Sequence, residues 1–130
     1  MSNKRLLIID PDPALPTTLK LYFENAGYKV NLTADESKGI LAARSWQPGA
    51  ILISSQLAGE PAHQVCQNLL RHSLTGHIPI ILLLALNDRQ ARLKALELGV
   101  DDVIHRPIDV EELKLRVEAA IRLASFHRAA

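Results

Sequence analysis

The chain of 130 residues has one cysteine, Cys66, so no disulfide can form within it. It has no apolar run long enough to span a bilayer, and none follows a basic start in the manner of a secretory signal. Neither sign of charge predominates. Fifteen Lys and Arg against fourteen Asp and Glu leave a formal charge of +1, which gives nothing global to steer the protein toward nucleic acid or an anionic membrane surface. No glycine-rich phosphate loop follows the first apolar segment, and no Ser, His and Asp fall together on predicted strand ends. His63, His72, His77, His105 and His127 form no helical pair and have no cysteine at zinc-ligand spacing, so no metal site is expected from them. Cys66 reads as a core residue. Repeats, low-complexity tracts and internal linkers are also lacking. These exclusions leave one cytoplasmic domain of a size that buries its own core.

What is present is an alternation of apolar segments. Ala50-Ile51-Leu52-Ile53-Ser54-Ser55 follows Pro48-Gly49 and turns polar at its end, as a central strand of a parallel sheet does where such sheets place their sites. Before it, Leu6-Leu7-Ile8-Ile9 predicts a strand stopped by Asp10-Pro11-Asp12-Pro13. Asp12 is placed to cap a helix with Pro13 in its first turn, carrying Leu15, Leu19, Tyr22, Phe23 and Ala26 and stopped by Gly27. Tyr28, Val30 and Leu32 alternate as an edge strand, and Thr33-Ala34-Asp35-Glu36 fits a capping box for a helix ending near Trp46. After a turn at Ala58-Gly59-Glu60-Pro61 come a helix with Val65, Cys66, Leu69 and Leu70, and the apolar strand from Ile78 to Leu84. Asp88 opens a helix that carries Leu93 and Leu96 and closes at Gly99. Val103-Ile104-His105 predicts a short strand broken by Arg106-Pro107. Asp109 and Glu112 then cap a last helix with Val110, Leu113, Val117, Ile121 and Ala124 as its buried stripe. Five strands alternating with five helices predict an open parallel sheet covered on both faces. The carboxyl ends of its strands bring Asp10, Ser54, Leu84 and Arg106 to one crevice.

The segments Leu6-Leu7-Ile8-Ile9-Asp10, Glu24-Asn25-Ala26-Gly27-Tyr28-Lys29-Val30, Ile78-Pro79-Ile80-Ile81 and Ala95-Leu96-Glu97-Leu98-Gly99-Val100-Asp101-Asp102 resemble the receiver domain of two-component response regulators. The likeness covers nearly the whole chain. It implies a flavodoxin-like (CheY-like) α/β fold with strand order 2-1-3-4-5 over residues 1–124, with 125–130 as a tail or the start of a linker. It also implies a cis bond at Arg106-Pro107, where receivers carry Lys-Pro.

Receivers accept a phosphoryl group on an aspartate. Two further carboxylates hold Mg²⁺, and a hydroxyl and a lysine hold the phosphoryl oxygens. Carried over residue by residue, the acceptor position is Ser54, and a shift of one reaches only Ser55. A serine hydroxyl is barely ionised at neutral pH and needs a base that receivers do not supply. Asp10 matches the first metal-binding acid, but Pro11 occupies the second position and has no carboxylate. Asp12 reads as a helix cap ahead of a substitute ligand. Leu84 stands at the hydroxyl position and Val103 at the switch aromatic, and both read as packing. Arg106 keeps the charge type of its position, that of the family's lysine. Either it pairs with Asp10 as a protein cation in place of the metal, or both groups face water.

The last third resembles receivers of the OmpR/PhoB type, which dimerise through the fourth helix, fifth strand and fifth helix by cross-subunit ion pairs. Arg92, Asp101, Asp102, Glu112 and Arg116 sit at matching positions, so a homodimer or a hetero-partner is expected there. The resemblance therefore implies a pseudo-receiver. Such a domain is a binding module rather than an enzyme, with Mg²⁺ binding lost or weak. Two alternatives stay open: an atypical receiver phosphorylated on Ser54 or a nearby hydroxyl, and a small-ligand-binding flavodoxin-like module.

Overall fold

A computed structural model describes residues 3–12, 14–54, 62–85 and 88–129, with side chains as far as 126. Strand and helix alternate five times: β1 (Arg5–Ile9), α1 (Ala14–Asn25), β2 (Lys29–Thr33), α2 (Glu36–Trp46), β3 (Ala50–Ser54), α3 (Ala62–Arg71), β4 (Ile80–Leu84), α4 (Arg89–Leu98), β5 (Asp102–His105) and α5 (Val110–Ala129). Every strand pair is parallel, in the order β2-β1-β3-β4-β5. This is the sheet covered on both faces that the alternation implied, in the CheY-like strand order that the receiver resemblance implied. β3 and β4 are buried along their whole length, as unbroken apolar runs require when helices cover both faces of a sheet.

The two-residue period of the strands divides the core into two layers. Leu6, Ile8, Leu52 and Leu83 meet Leu19 and Phe23 of α1 and Leu113, Val117 and Ile121 of α5. Leu7, Ile9, Ile51, Ile53 and Leu82 face α2, α3 and α4, where Ile40, Val65, Cys66 and Leu69 complete the second layer. α2 lies so close to β1 that a Cβ at Gly39 would sit 2.6 Å from the Ile9 Cδ1. No helix of the described residues is long and apolar enough to cross a membrane.

Aspartates set the helix starts. Asp12 accepts from the Ala14 N–H at 3.0 Å, Asp88 from Ala91 at 3.1 Å, and Asp109 from Glu111 and Glu112 at 3.0 and 3.1 Å. Gly99 ends α4 with φ at 104°, a left-handed conformation that a side chain would oppose. The cap of α2 is Asp35 rather than Thr33. Thr33 stays in β2 opposite Ile9, and its carbonyl accepts from the Asp10 N–H at 3.0 Å, so the cap falls to Asp35, which accepts from Lys38 at 3.0 Å. On α4 the leucines that mark the helix in the sequence turn outward. Leu93 and Leu96 are 41% and 45% exposed, while Ala95 is buried and Ala91 half-buried. Small side chains let this helix lie close to β5 and α3, and an alanine stripe is a weaker periodic signal than two leucines. α5 continues as helix to Ala129, through the stretch from 125 read as tail or linker. Pro13, Ser55 and the turn at Ala58-Gly59-Glu60-Pro61 lie outside the described residues.

Candidate functional site

The carboxyl edge of the sheet is where the strand ends meet. Ile9 pairs with Ile53, so Asp10 and Ser54 are neighbours at the ends of β1 and β3. Ser54 pairs with Leu83 and Leu84 with His105. The Arg106 N–H donates to the Leu84 carbonyl at 3.0 Å, continuing β5 beyond His105, and the Arg106-Pro107 bond is cis.

From that loop the Arg106 guanidinium reaches back over the sheet edge to Asp10. Its Nη2 lies 3.5 Å from the Asp10 Oδ2, joining residues 96 apart in the chain. The two groups are unequally buried: the Asp10 side chain is 1% exposed and that of Arg106 27%. The Asp10 Oδ1 accepts from the Asp12 N–H at 2.9 Å. Each carboxylate oxygen thus has a donor, one cationic and one from the backbone. Burial pushes the Asp10 carboxyl above its ordinary 3.8, and the Asp12 amide and Arg106 pull against this without cancelling it. Of the two orientations open in the sequence, the structure takes the paired one.

The other positions contribute differently. Ser54 is buried, at 1% exposure, and offers a neutral hydroxyl. Pro11 is half-buried and has no side-chain oxygen. Leu84 packs into the apolar layer under α2, α3 and α4 together with Leu82, and Val103 packs against the same layer. Pro107 is exposed beside Arg106. Among the described residues no three of His, Cys, Asp and Glu come together. Burial raises the Cys66 thiol to about 12, which makes it a core group and a poor nucleophile.

On the face made by α4, β5 and α5, Arg116, Asp102, Glu112 and Asp101 are all engaged within the chain. Arg116 bonds Asp102 at 2.8 Å and Glu112 at 2.9 Å. Asp101 accepts from the Ile80 N–H at 2.9 Å, holding the start of β4. Arg92 is half-buried on α4. Exposed Leu93 and Leu96 lie on the same helix.

Two participants were not foreseen. The Asp12 amide and the Thr33 carbonyl fix the carboxylate and the backbone of Asp10. The first had a local signal, since an aspartate two residues before a free N–H readily accepts from it. The second depends on the pairing of β1 with β2 and had none.

Residues 6–118 match the family described as response regulator receiver domain. The chain is 38% identical, over 91% of its length, to the DNA-binding dual master transcriptional regulator RpaA of Synechocystis sp.. It is 30% identical over 94% to the phosphate regulon transcriptional regulatory protein PhoB of Pseudomonas aeruginosa. The matches cover 49% and 53% of those proteins, so the chain spans about half the length of these curated relatives. Among solved structures, a two-component response regulator from Clostridium difficile superposes with a TM-score of 0.84 at 26% identity, covering 92% of this chain and 96% of that one. A CheY-like receiver domain protein from Methanospirillum hungatei gives 0.87 at 21% identity, covering 97% and 99%, and bears on the fold.

Proposed function

Because the chain belongs to the response regulator receiver domain family, we propose that it is a pseudo-receiver, a signalling module that acts by binding protein and not by accepting a phosphoryl group on aspartate. The observation that carries this reading is the Asp10 carboxylate, buried and engaged by Arg106 and the Asp12 amide. Mg²⁺ needs several oxygens, more than one of them charged, in near-octahedral array. The residues present do not fit it: Asp10 is already balanced by a protein cation, Pro11 supplies no carboxylate, and Ser54 is neutral. A serine hydroxyl, scarcely ionised at neutral pH, is also a poorer phosphoryl acceptor than a carboxylate. Leu84 can neither donate to a phosphoryl oxygen nor respond to one.

The test is direct. Purified protein is incubated with acetyl phosphate and Mg²⁺ and its intact mass recorded, with a phosphorylatable receiver as positive control. The expected result is an unchanged mass; a phosphoryl adduct mapping to Ser54 would overturn the reading in favour of an atypical receiver.

The module's output then lies in contacts made by α4, β5 and α5, with a second copy or another protein. Exposed Leu93 and Leu96 supply apolar area, and the Arg116, Glu112 and Asp102 set can exchange partners across a two-fold axis. Light scattering of wild type beside Arg116→Glu reads this out. A dimer that dissociates in the variant is expected, and a monomer in both removes the homodimer.

A further inference from the structure

A second surface, formed by α2 and α3, belongs neither to the Asp10 pocket nor to the face around β5. α3 carries Gln64, Gln67, Asn68 and Arg71 at helical spacing, and they line a shallow groove of about 290 Å³. Arg44 of α2 reaches the groove, donating from its guanidinium to the Asn68 Oδ1 at 3.4 Å. Its Nε is buried and has no hydrogen-bond partner among the described residues. α3 contains no acidic residue, and the acid of α2 is Glu36, in its first turn. Among the described residues neither Arg44 nor Arg71 has a carboxylate at ion-pair distance. Exposed Leu41, one turn before Arg44, and exposed Leu74, just past the end of α3, add apolar area. The Gln47 side chain donates to the Leu74 carbonyl at 2.7 Å, tying that turn to the end of α2.

We propose that the surface of α2 and α3 docks an acidic, amphipathic segment of a protein partner, whose carboxylates pair with Arg44 and Arg71 and whose apolar side chains cover Leu41 and Leu74. Among the described residues these two guanidinium groups have no carboxylate partner, which leaves them open to an external one, and the guanidinium fork matches a carboxylate in two hydrogen bonds. The amides of Gln64, Gln67 and Asn68 supply both donors and acceptors for the polar side chains of the segment. Nucleic acid fits this surface less well. Its affinity scales with the number of phosphates neutralised, and here two arginines are set among amides and leucines.

The probe is a synthetic helical peptide with Glu along one face and Leu along the other, titrated into ¹⁵N-labelled protein. Amide shifts confined to α2, α3 and the turn after α3 are expected, with affinity falling as salt is added. R44E/R71E should lose at least about tenfold in affinity, since two attractive pairs become two repulsive ones. Arg71→Gln, an exposed change that leaves Arg44 packed, should give an intermediate loss with an unchanged circular dichroism spectrum. The proposal is overturned by absence of shifts, by shifts centred on α4, β5 and α5, by affinity indifferent to charge reversal, or by duplex DNA binding the same face more tightly than the peptide.

Discussion

Replacing Arg106 by Met removes the charge that faces Asp10 while keeping most of the apolar stem. At 3.5 Å and an effective dielectric of about 20, the lost attraction is roughly 5 kcal/mol before desolvation is subtracted. Removing one partner of a buried pair costs about 3–5 kcal/mol, because the other charge is left uncompensated. Here the Asp12 amide stays in place and Arg106 is 27% exposed, so a loss of about 2–3 kcal/mol at neutral pH is expected. The pH dependence sharpens the test. Burial raises the Asp10 carboxyl above 3.8 in the folded protein, so the folded state holds this proton more tightly than the unfolded state. Stability from this group is therefore greatest below the unfolded value and falls as pH rises through the raised folded value. Without Arg106 the folded value rises further, so the deficit of the variant should shrink as the solution is acidified toward that window. Asp10→Asn should behave oppositely, close to neutral at pH 7, because its amide oxygen still accepts from Asp12 and the freed guanidinium can hydrate. Urea melts followed by the fluorescence of Trp46, the one tryptophan, measure all three proteins across pH. If Arg106→Met were within about 0.5 kcal/mol of wild type at neutral pH, with the same pH profile, the pair would carry no energetic weight and the reasoning would fail.

Three further outcomes follow from other parts of the molecule. Ser54→Asp places a second carboxylate at a position 1% exposed beside Asp10; a loss of about 2–3 kcal/mol at pH 7, smaller in acid and not recovered by Mg²⁺, is expected in thermal and urea melts. Gly39→Ala would drive a methyl to 2.6 Å from the Ile9 Cδ1, and the forced separation of α2 from β1 should cost about 1–3 kcal/mol in the same assay. Cys66, buried with its thiol raised to about 12, should resist a thiol reagent in the native state and react at the rate of unfolding, as timed by mass.

The order of the elements could be read from the chain because each rests on a local pattern. The short apolar runs at 51–53 and 80–84, set between breakers, read as strands buried on both faces, and the aspartates at 12, 88 and 109 each sit where a helix start leaves free N–H groups. Local pattern was misleading where packing sets the face. The leucines of α4 outrank Ala91 and Ala95 in hydropathy, yet close approach to the sheet favours the alanines. In the same way Thr33 matched a capping box but was held in β2 by pairing with β1.

At the crevice, the chemical identities of Asp10, Pro11, Ser54, Leu84 and Arg106 were legible from the start, and with them the shortage of negative charge. The state of those groups was not. Whether Asp10 meets water or a guanidinium depends on how a loop after β5 lies against the end of β1, 96 residues earlier. Likewise Arg116 turns to Asp102 of its own chain because α5 packs beside β5, whereas its pair with Glu112 is an i, i+4 contact within one helix. Side-chain chemistry and periodicity are local properties, carried by the residues themselves. Distance between remote groups, and the loss of solvent that raises the Asp10 carboxyl, exist only once the sheet has closed under its helices.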